Sequence, residues 1–177
     1  MILKIYYIIL TLLTFQSGMN DHKYHLLLGG NVNYLKFNNH DYLNKSDMSH
    51  SYSFSKNPLN YLNNTINNIS FYFNEEETIT KVYVDLSTLI DKSFFDDFVN
   101  IYGEPNHILV QDEVLYDSKH TGEFGQTVRK THSKAREGTF DENPIFIIWF
   151  KDGIKIQVLM KYAQNVSEIA FSTDDRE

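Results

Sequence analysis

Apolar and polar positions follow two distinct periods over most of the chain. Ile69, Phe71 and Phe73 alternate with Ser70 and Tyr72, the run Asn74-Glu75-Glu76-Glu77 interrupts, and Val82, Val84 and Leu86 then alternate with Lys81, Tyr83 and Asp85. A period of two on both sides of a polar break predicts an antiparallel hairpin. The three glutamates read as a solvated turn, since a hard cation needs spaced, converging oxygens. Phe94, Phe98 and Ile101 recur at helical spacing, with Phe95, Val99 and Tyr102 beside them. Ser93 with Asp96 forms a capping box, Asp96 and Asp97 suit the helix start, and Gly103 followed by Pro105 is a stop, so a helix is predicted over 93–102, with an earlier start near Ser87 left open. His107 to Tyr116 predicts one strand, or a tight pair around Gln111-Asp112-Glu113.

Ile145 to Phe150 is apolar on both faces, which predicts a central strand covered on both sides. Asp152-Gly153 is a tight-turn dipeptide. Ile154, Ile156, Val158, Met160 and Tyr162 alternate with Lys155, Gln157 and Lys161, and Ile169 with Phe171 marks a last short strand. Phe94, Phe98, Phe146, Trp149 and Phe150 are assigned to the core on their periodicity. The expected fold class is therefore α+β, an antiparallel sheet of about five strands with one main helix packed on one face.

The first residues differ in kind. Lys4 precedes an apolar run of eleven residues, Ile5 to Phe15, broken only by Thr11 and Thr14. A secretory signal core needs roughly 7 to 15 apolar residues and a membrane span about 20, so residues 1–18 read as a signal peptide and the protein as exported, to a periplasm, a cell surface or the medium. An N-terminal core strand is the competing reading. Between Asn38 and Asn68 asparagine occupies nine positions, which predicts irregular, turn-rich structure with one short strand around Tyr52 and Phe54. The expected division is a leader over 1–18, an Asn-rich, partly irregular segment over 19–68, an α+β core over 69–172 and an acidic tail over 173–177. Asn-x-Ser/Thr triplets begin at Asn44, Asn63, Asn68 and Asn165.

The 177 residues carry 16 Lys and Arg against 23 Asp and Glu, so the balance is 16 − 23 = −7, and broad wrapping around nucleic acid is disfavoured. Removing the leader with Lys4 makes it 15 − 23 = −8. There is no cysteine, which excludes disulfides, thiolate metal sites and a cysteine nucleophile. Against this acidic background Lys119, Arg129, Lys130, Lys134 and Arg136 place five of sixteen cations within 18 residues, joined by His120 and His132. Three readings compete for this segment. It is a solvated hairpin loop or lysine-guarded edge strand, a docking surface for an acidic protein or anionic head groups, or a metal-independent ribonuclease-like site. In the last, His107, His120 or His132 with Glu113 would act as acid and base, and Arg129 and Lys130 would hold phosphate. His22 and His25 have a chelating spacing but lie in a segment expected to fray, and His40 and His50 read as surface residues.

The helix ending Tyr102-Gly103-Glu104-Pro105, the following strand, Trp149, the Lys151-Asp152-Gly153 turn and the Ile154-x-Ile156-x-Val158 strand together resemble small exported α+β proteins. In outline the chain is similar to the SmpA/OmlA (BamE-type) outer-membrane-assembly lipoproteins and to the repeats of beta-lactamase inhibitory protein, over roughly Ile69 to Phe171. The lipoproteins carry an acylated cysteine after their leader and this chain has none. The resemblance implies an exported module that binds other proteins without chemistry of its own. No nucleotide-binding, serine-hydrolase or zinc-hydrolase motif occurs, and neither a cofactor nor a metal is expected. The reading is a protein-binding module of the inhibitor, immunity or envelope-accessory kind. It would meet its partner, another protein, through an exposed sheet face or through Lys119, His120, Arg129, Lys130, His132, Lys134 and Arg136. The alternative is a small hydrolase or ribonuclease.

Overall fold

A computed structural model of the chain describes residues 24–34, 42–46, 50–55, 59–121 and 127–173. The leader, His22, His40 and the acidic residues after Thr173 lie outside them. Strands run in the order β1 (Tyr42–Ser46), β2 (Ser51–Ser55), β3 (Leu59–Tyr61), β4 (Asn64–Phe73) and β5 (Ile79–Leu86), followed by α1 (Lys92–Tyr102) and then β6 (His107–Thr121), β7 (Thr127–Glu137), β8 (Phe146–Lys151), β9 (Ile154–Lys161) and β10 (Val166–Thr173). All ten belong to one antiparallel sheet, ordered β1-β2-β4-β5-β10-β9-β8-β6-β7, with β3 beside β4.

The expectation of about five strands in an α+β fold is thus overturned: the described chain is mostly sheet, with one α-helix. Two stretches account for the difference. The Asn-rich segment supplies β1, β2, β3 and the first residues of β4, and β4 runs without a break across residue 68. There β2 and β3 lie end to end along β4, Phe54 opposite Ile69 and Leu59 opposite Ile66. The turn from β3 into β4 is made by Leu62 and Asn63, whose φ of 46° and 66° are the left-handed pair of a tight hairpin. The second stretch is the basic segment, which forms β6 and β7.

Cross-strand register explains the core. Phe71, Val82, Phe171, Ile156 and Trp149 stand in one row across five strands, and Ile69, Val84, Ile169, Val158 and Ile147 in the next. Every residue of both rows is buried. Ser167 is buried in the following row, where its hydroxyl accepts from the Ile90 amide at 3.0 Å and donates to the Met160 sulfur at 3.4 Å. Helix α1 lies on this face. Phe94, Phe95, Phe98 and Tyr102 are its buried residues, Phe98 meets Trp149 edge to face at 5.0 Å, and the Trp149 indole N–H donates to the Gly103 carbonyl at 2.8 Å. The helix ends where Gly103, at φ 86°, returns its amide to the Val99 carbonyl. Tyr24 and Leu27, in a short 3-10 turn, are buried against the same face.

Three local expectations are corrected. Asp91 rather than Ser93 caps α1: its carboxylate accepts from the Phe94 amide at 2.8 Å, while Asp96 is held by Lys92 instead of turning back to Ser93. His25 is not in a frayed segment, since it lies beside buried Tyr24 with Nδ1 3.1 Å from the Tyr102 hydroxyl. Among the described residues, strand β8 is fully buried on one side only. Ile147 and Trp149 are buried, but Phe146, Ile148 and Phe150 are half-buried on the opposite sheet face. The turns at Asn74–Thr78 and Asp152-Gly153 form as expected, the first closed by Asn74 Oδ1 accepting from the amides of Glu76 and Thr78.

Replacing Asp91 by Ala lowers the unfolding free energy by about 1 kcal/mol, whereas Ser93→Ala, which removes no cap, changes it by less than about 0.5 kcal/mol. Urea denaturation of the two variants checks the assignment.

Candidate functional site

Two surfaces carry unspent side chains. One is the open sheet face. Across it Ser70, Tyr83, Ala170, Gln157 and Ile148 form a half-buried row, with Asn68, Asp85, Glu168, Leu159 and Phe146 beside it. Its polar half is internally paired. Lys161 Nζ lies 2.7 Å from Glu168, which holds the lysine above its ordinary pKa, and Asn68 Nδ2 donates to Asp85 at 3.4 Å. Burial pushes the Asp85 carboxyl above the usual carboxylate range, partly offset by that amide.

The other surface is built by β6 and β7. Only His107, Ile108 and Leu109 of β6 pair with β8; from there the strand continues to Thr121 with β7 as its sole neighbour among the described residues. The result is a two-stranded ribbon that outruns the sheet. Its root is locked by packing. Val110 is buried, and a Cβ on Gly138 would come within 2.8 Å of the Val110 side chain, so only glycine lets the chain leave β7 here. Arg136 crosses to Glu142 at 2.5 Å, and Glu142 also accepts from the Thr139 amide at 2.9 Å. Those bonds hold the Glu142 carboxyl below the ordinary carboxylate range, the Arg136 hydrogen bond contributing most. His107 Nδ1 meets Glu137 at 2.7 Å on the exposed side of the same root.

Beyond the root β6 is bulged. Gln111 faces Ala135, Val114 faces Ser133 and Tyr116 faces His132, so β6 uses two more residues than β7 over this stretch. Val114 and Leu115 sit in the bulge and are 49% and 56% exposed, the most solvent-exposed large apolar side chains described. Sequence reasoning passed over both. The signal was the doublet itself, two adjacent apolar residues that break strand alternation where nothing can bury both.

The anticipated residues distribute along this ribbon. Lys119 stands opposite Arg129, Ser118 opposite Lys130, His120 opposite Val128 and His132 opposite Tyr116. Lys134 and Arg136 are nearer the root and engaged, Lys134 with Glu113 at 3.1 Å and Arg136 with Glu142 and, at 3.9 Å, Asp112. Of the residues of the ribonuclease reading, Glu113 is bound to Lys134, two residues from His132, whereas the histidines are spread along the ladder. His120 and His132 are four ladder positions apart, roughly 13 Å at the usual strand rise, and His107 is some nine positions from the residue facing His132, roughly 30 Å. Among the described residues no three His, Asp or Glu stand together to hold a metal ion, and no helix is long and apolar enough to cross a membrane.

The chain matches no protein-family model, no curated protein and no solved structure.

The Glu142 latch has a pH signature. A carboxyl whose folded pKa is lowered stabilises above its unfolded pKa and loses that contribution as pH falls through the folded value. Glu142→Gln therefore speeds amide exchange at Gly138 relative to the parent at neutral pH, and the gap narrows as the pH falls below the ordinary carboxylate range. Hydrogen exchange read by NMR checks it.

Proposed function

We propose that the protein is an exported, non-catalytic module that binds another protein through the β6–β7 ribbon. One observation carries this: the ribbon, anchored firmly at its root, holds Val114 and Leu115 out in solvent. Anchoring limits the entropy lost on docking, and an exposed apolar pair within a polar rim has the composition of an interface centre. Lys119, Arg129 and Lys130 further along the ribbon would steer an acidic partner, since the rest of the chain is acidic and leaves them the main positive feature. The open sheet face is the weaker candidate because its charges are already paired with one another. An inhibitor or immunity protein acting on a toxin or hydrolase, or an envelope assembly accessory, is the concrete form of this role, in keeping with the exported modules that the chain resembles.

Photo-crosslinking residues at Val114 and Leu115, expressed in the parent cell, should trap one defined protein, while the same residue at Tyr72 on the open face should not. The triple variant Lys119→Glu, Arg129→Glu, Lys130→Glu should lose the crosslink with its circular dichroism unchanged. RNA cleavage by the purified protein that disappears in His120→Ala, His132→Ala would overturn the proposal.

A further inference from the structure

Strand β7 closes one end of the sheet, and among the described residues it pairs with β6 alone. Its amides divide by direction. The Gly138 amide donates to the Ile108 carbonyl at 2.9 Å, and the Leu109 carbonyl turns the other way to accept from Ile145 at 2.8 Å. Alternation in an antiparallel ladder then points the backbone groups of Arg136 and Lys134 toward β6 and those of Ser133, Ala135 and Glu137 outward. All five residues are exposed. Such an edge is a template for one more strand.

Charge decides which strand it can accept. β7 reads Thr-Val-Arg-Lys-Thr-His-Ser-Lys-Ala-Arg-Glu, with four cations, one acid and one histidine. Pairing β7 with β7 of a second copy sets cations against cations, which is destabilising for directly opposed like charges. A nucleic acid would meet a chain of net charge −7 behind a narrow basic edge. An acidic strand meets neither obstacle. Lys134 is held by one exposed ion pair, to Glu113, which contributes little and can be exchanged for a carboxylate of an incoming strand, while Arg136 stays on Glu142 and on the Glu137 carbonyl and keeps the root closed.

We propose that β7 is an acceptor edge, and that an extended acidic segment of the partner protein joins it as a further strand. This rests on the ribbon being the binding surface and adds the mode of binding and the chemistry of the partner.

The probe is a synthetic peptide of about eight residues alternating Glu with Thr and Val, compared with its Lys-for-Glu counterpart and with an acidic copy N-methylated at alternate residues. The acidic peptide should slow amide exchange at Ser133, Ala135 and Glu137 of the full chain, and the Lys peptide should not. N-methylation, or Ala135→Pro, which removes one outward donor at an exposed edge position, should weaken binding about tenfold. The N-methylated peptide keeps the test sound even where the proline variant misfolds. Equal binding of the plain and N-methylated acidic peptides, with no protection of the three amides, overturns strand addition while leaving the ribbon as a binding surface. No binding of the acidic peptide overturns the inference and leaves the crosslinks at Val114 and Leu115 to decide the wider reading. Protection of the same amides that rises with protein concentration alone overturns it in favour of a second copy.

Discussion

Among the described residues everything is conditioned by how little helix there is to cover so much sheet. Helix α1 has eleven residues, about 16 Å of length at the usual rise, whereas nine strands side by side span roughly 38 Å. A single helix of that size can shield only the middle strands of one face. The buried rows accordingly centre on β5, β10, β9 and β8, beneath Phe94, Phe98 and Tyr102. The cover is extended by the 3-10 turn carrying Tyr24 and Leu27, and by Phe140, stacked on Phe95 at 4.6 Å. Past Val110 the burial ends, and β6 and β7 continue as a ribbon.

Such a layout needs the helix to be tied to the sheet by more than apolar area. Trp149 does this from the sheet side. Its ring packs on Phe98 while its N–H is satisfied by the carbonyl at the end of the helix, so position and orientation are fixed together. A small hydroxyl cluster ties in the N-terminal segment. Tyr102 Oη lies 3.1 Å from His25 Nδ1 and 3.5 Å from Tyr61 Oη, and burial pushes its phenol up to about 12.

The sequence was most readable where local chemistry and long-range pairing agree. Asp152-Gly153 with Ile154 to Met160 is one example, because the turn dipeptide fixes the register and the alternation fixes the face. It was least readable where strands are made by their neighbours. β2 was expected around Tyr52 and Phe54, but β1 and β3 contain no apolar run, and they are strands because β2 and β4 offer them ladders. The helix cap was misread for a related reason. Ser93-x-x-Asp96 satisfies the capping pattern, yet Lys92 claims Asp96 and the extended backbone of Asp91 puts its carboxylate on the Phe94 amide. At the candidate site the cluster of cations was visible, but its partition was not. Pairing of Lys134 and Arg136 with Glu113, Asp112 and Glu142 depends on the bulged register, which periodicity does not encode.

That partition gives the ribbon its polarity. From Ser118 to His132 the chain carries Lys119, Arg129 and Lys130 against Glu123, so 3 − 1 leaves a net +2, while the root is neutralised within itself. Edge cations ordinarily keep sheets from joining their own copies. On an acidic protein the same cations exclude self-pairing and lower the barrier to an acidic stranger, so protection against aggregation and selectivity for a partner come from one set of residues. Anchoring at Val110 and Gly138 and presentation at Val114 and Leu115 then follow as two halves of one device: a fixed stem, and an apolar contact held beyond the reach of the core.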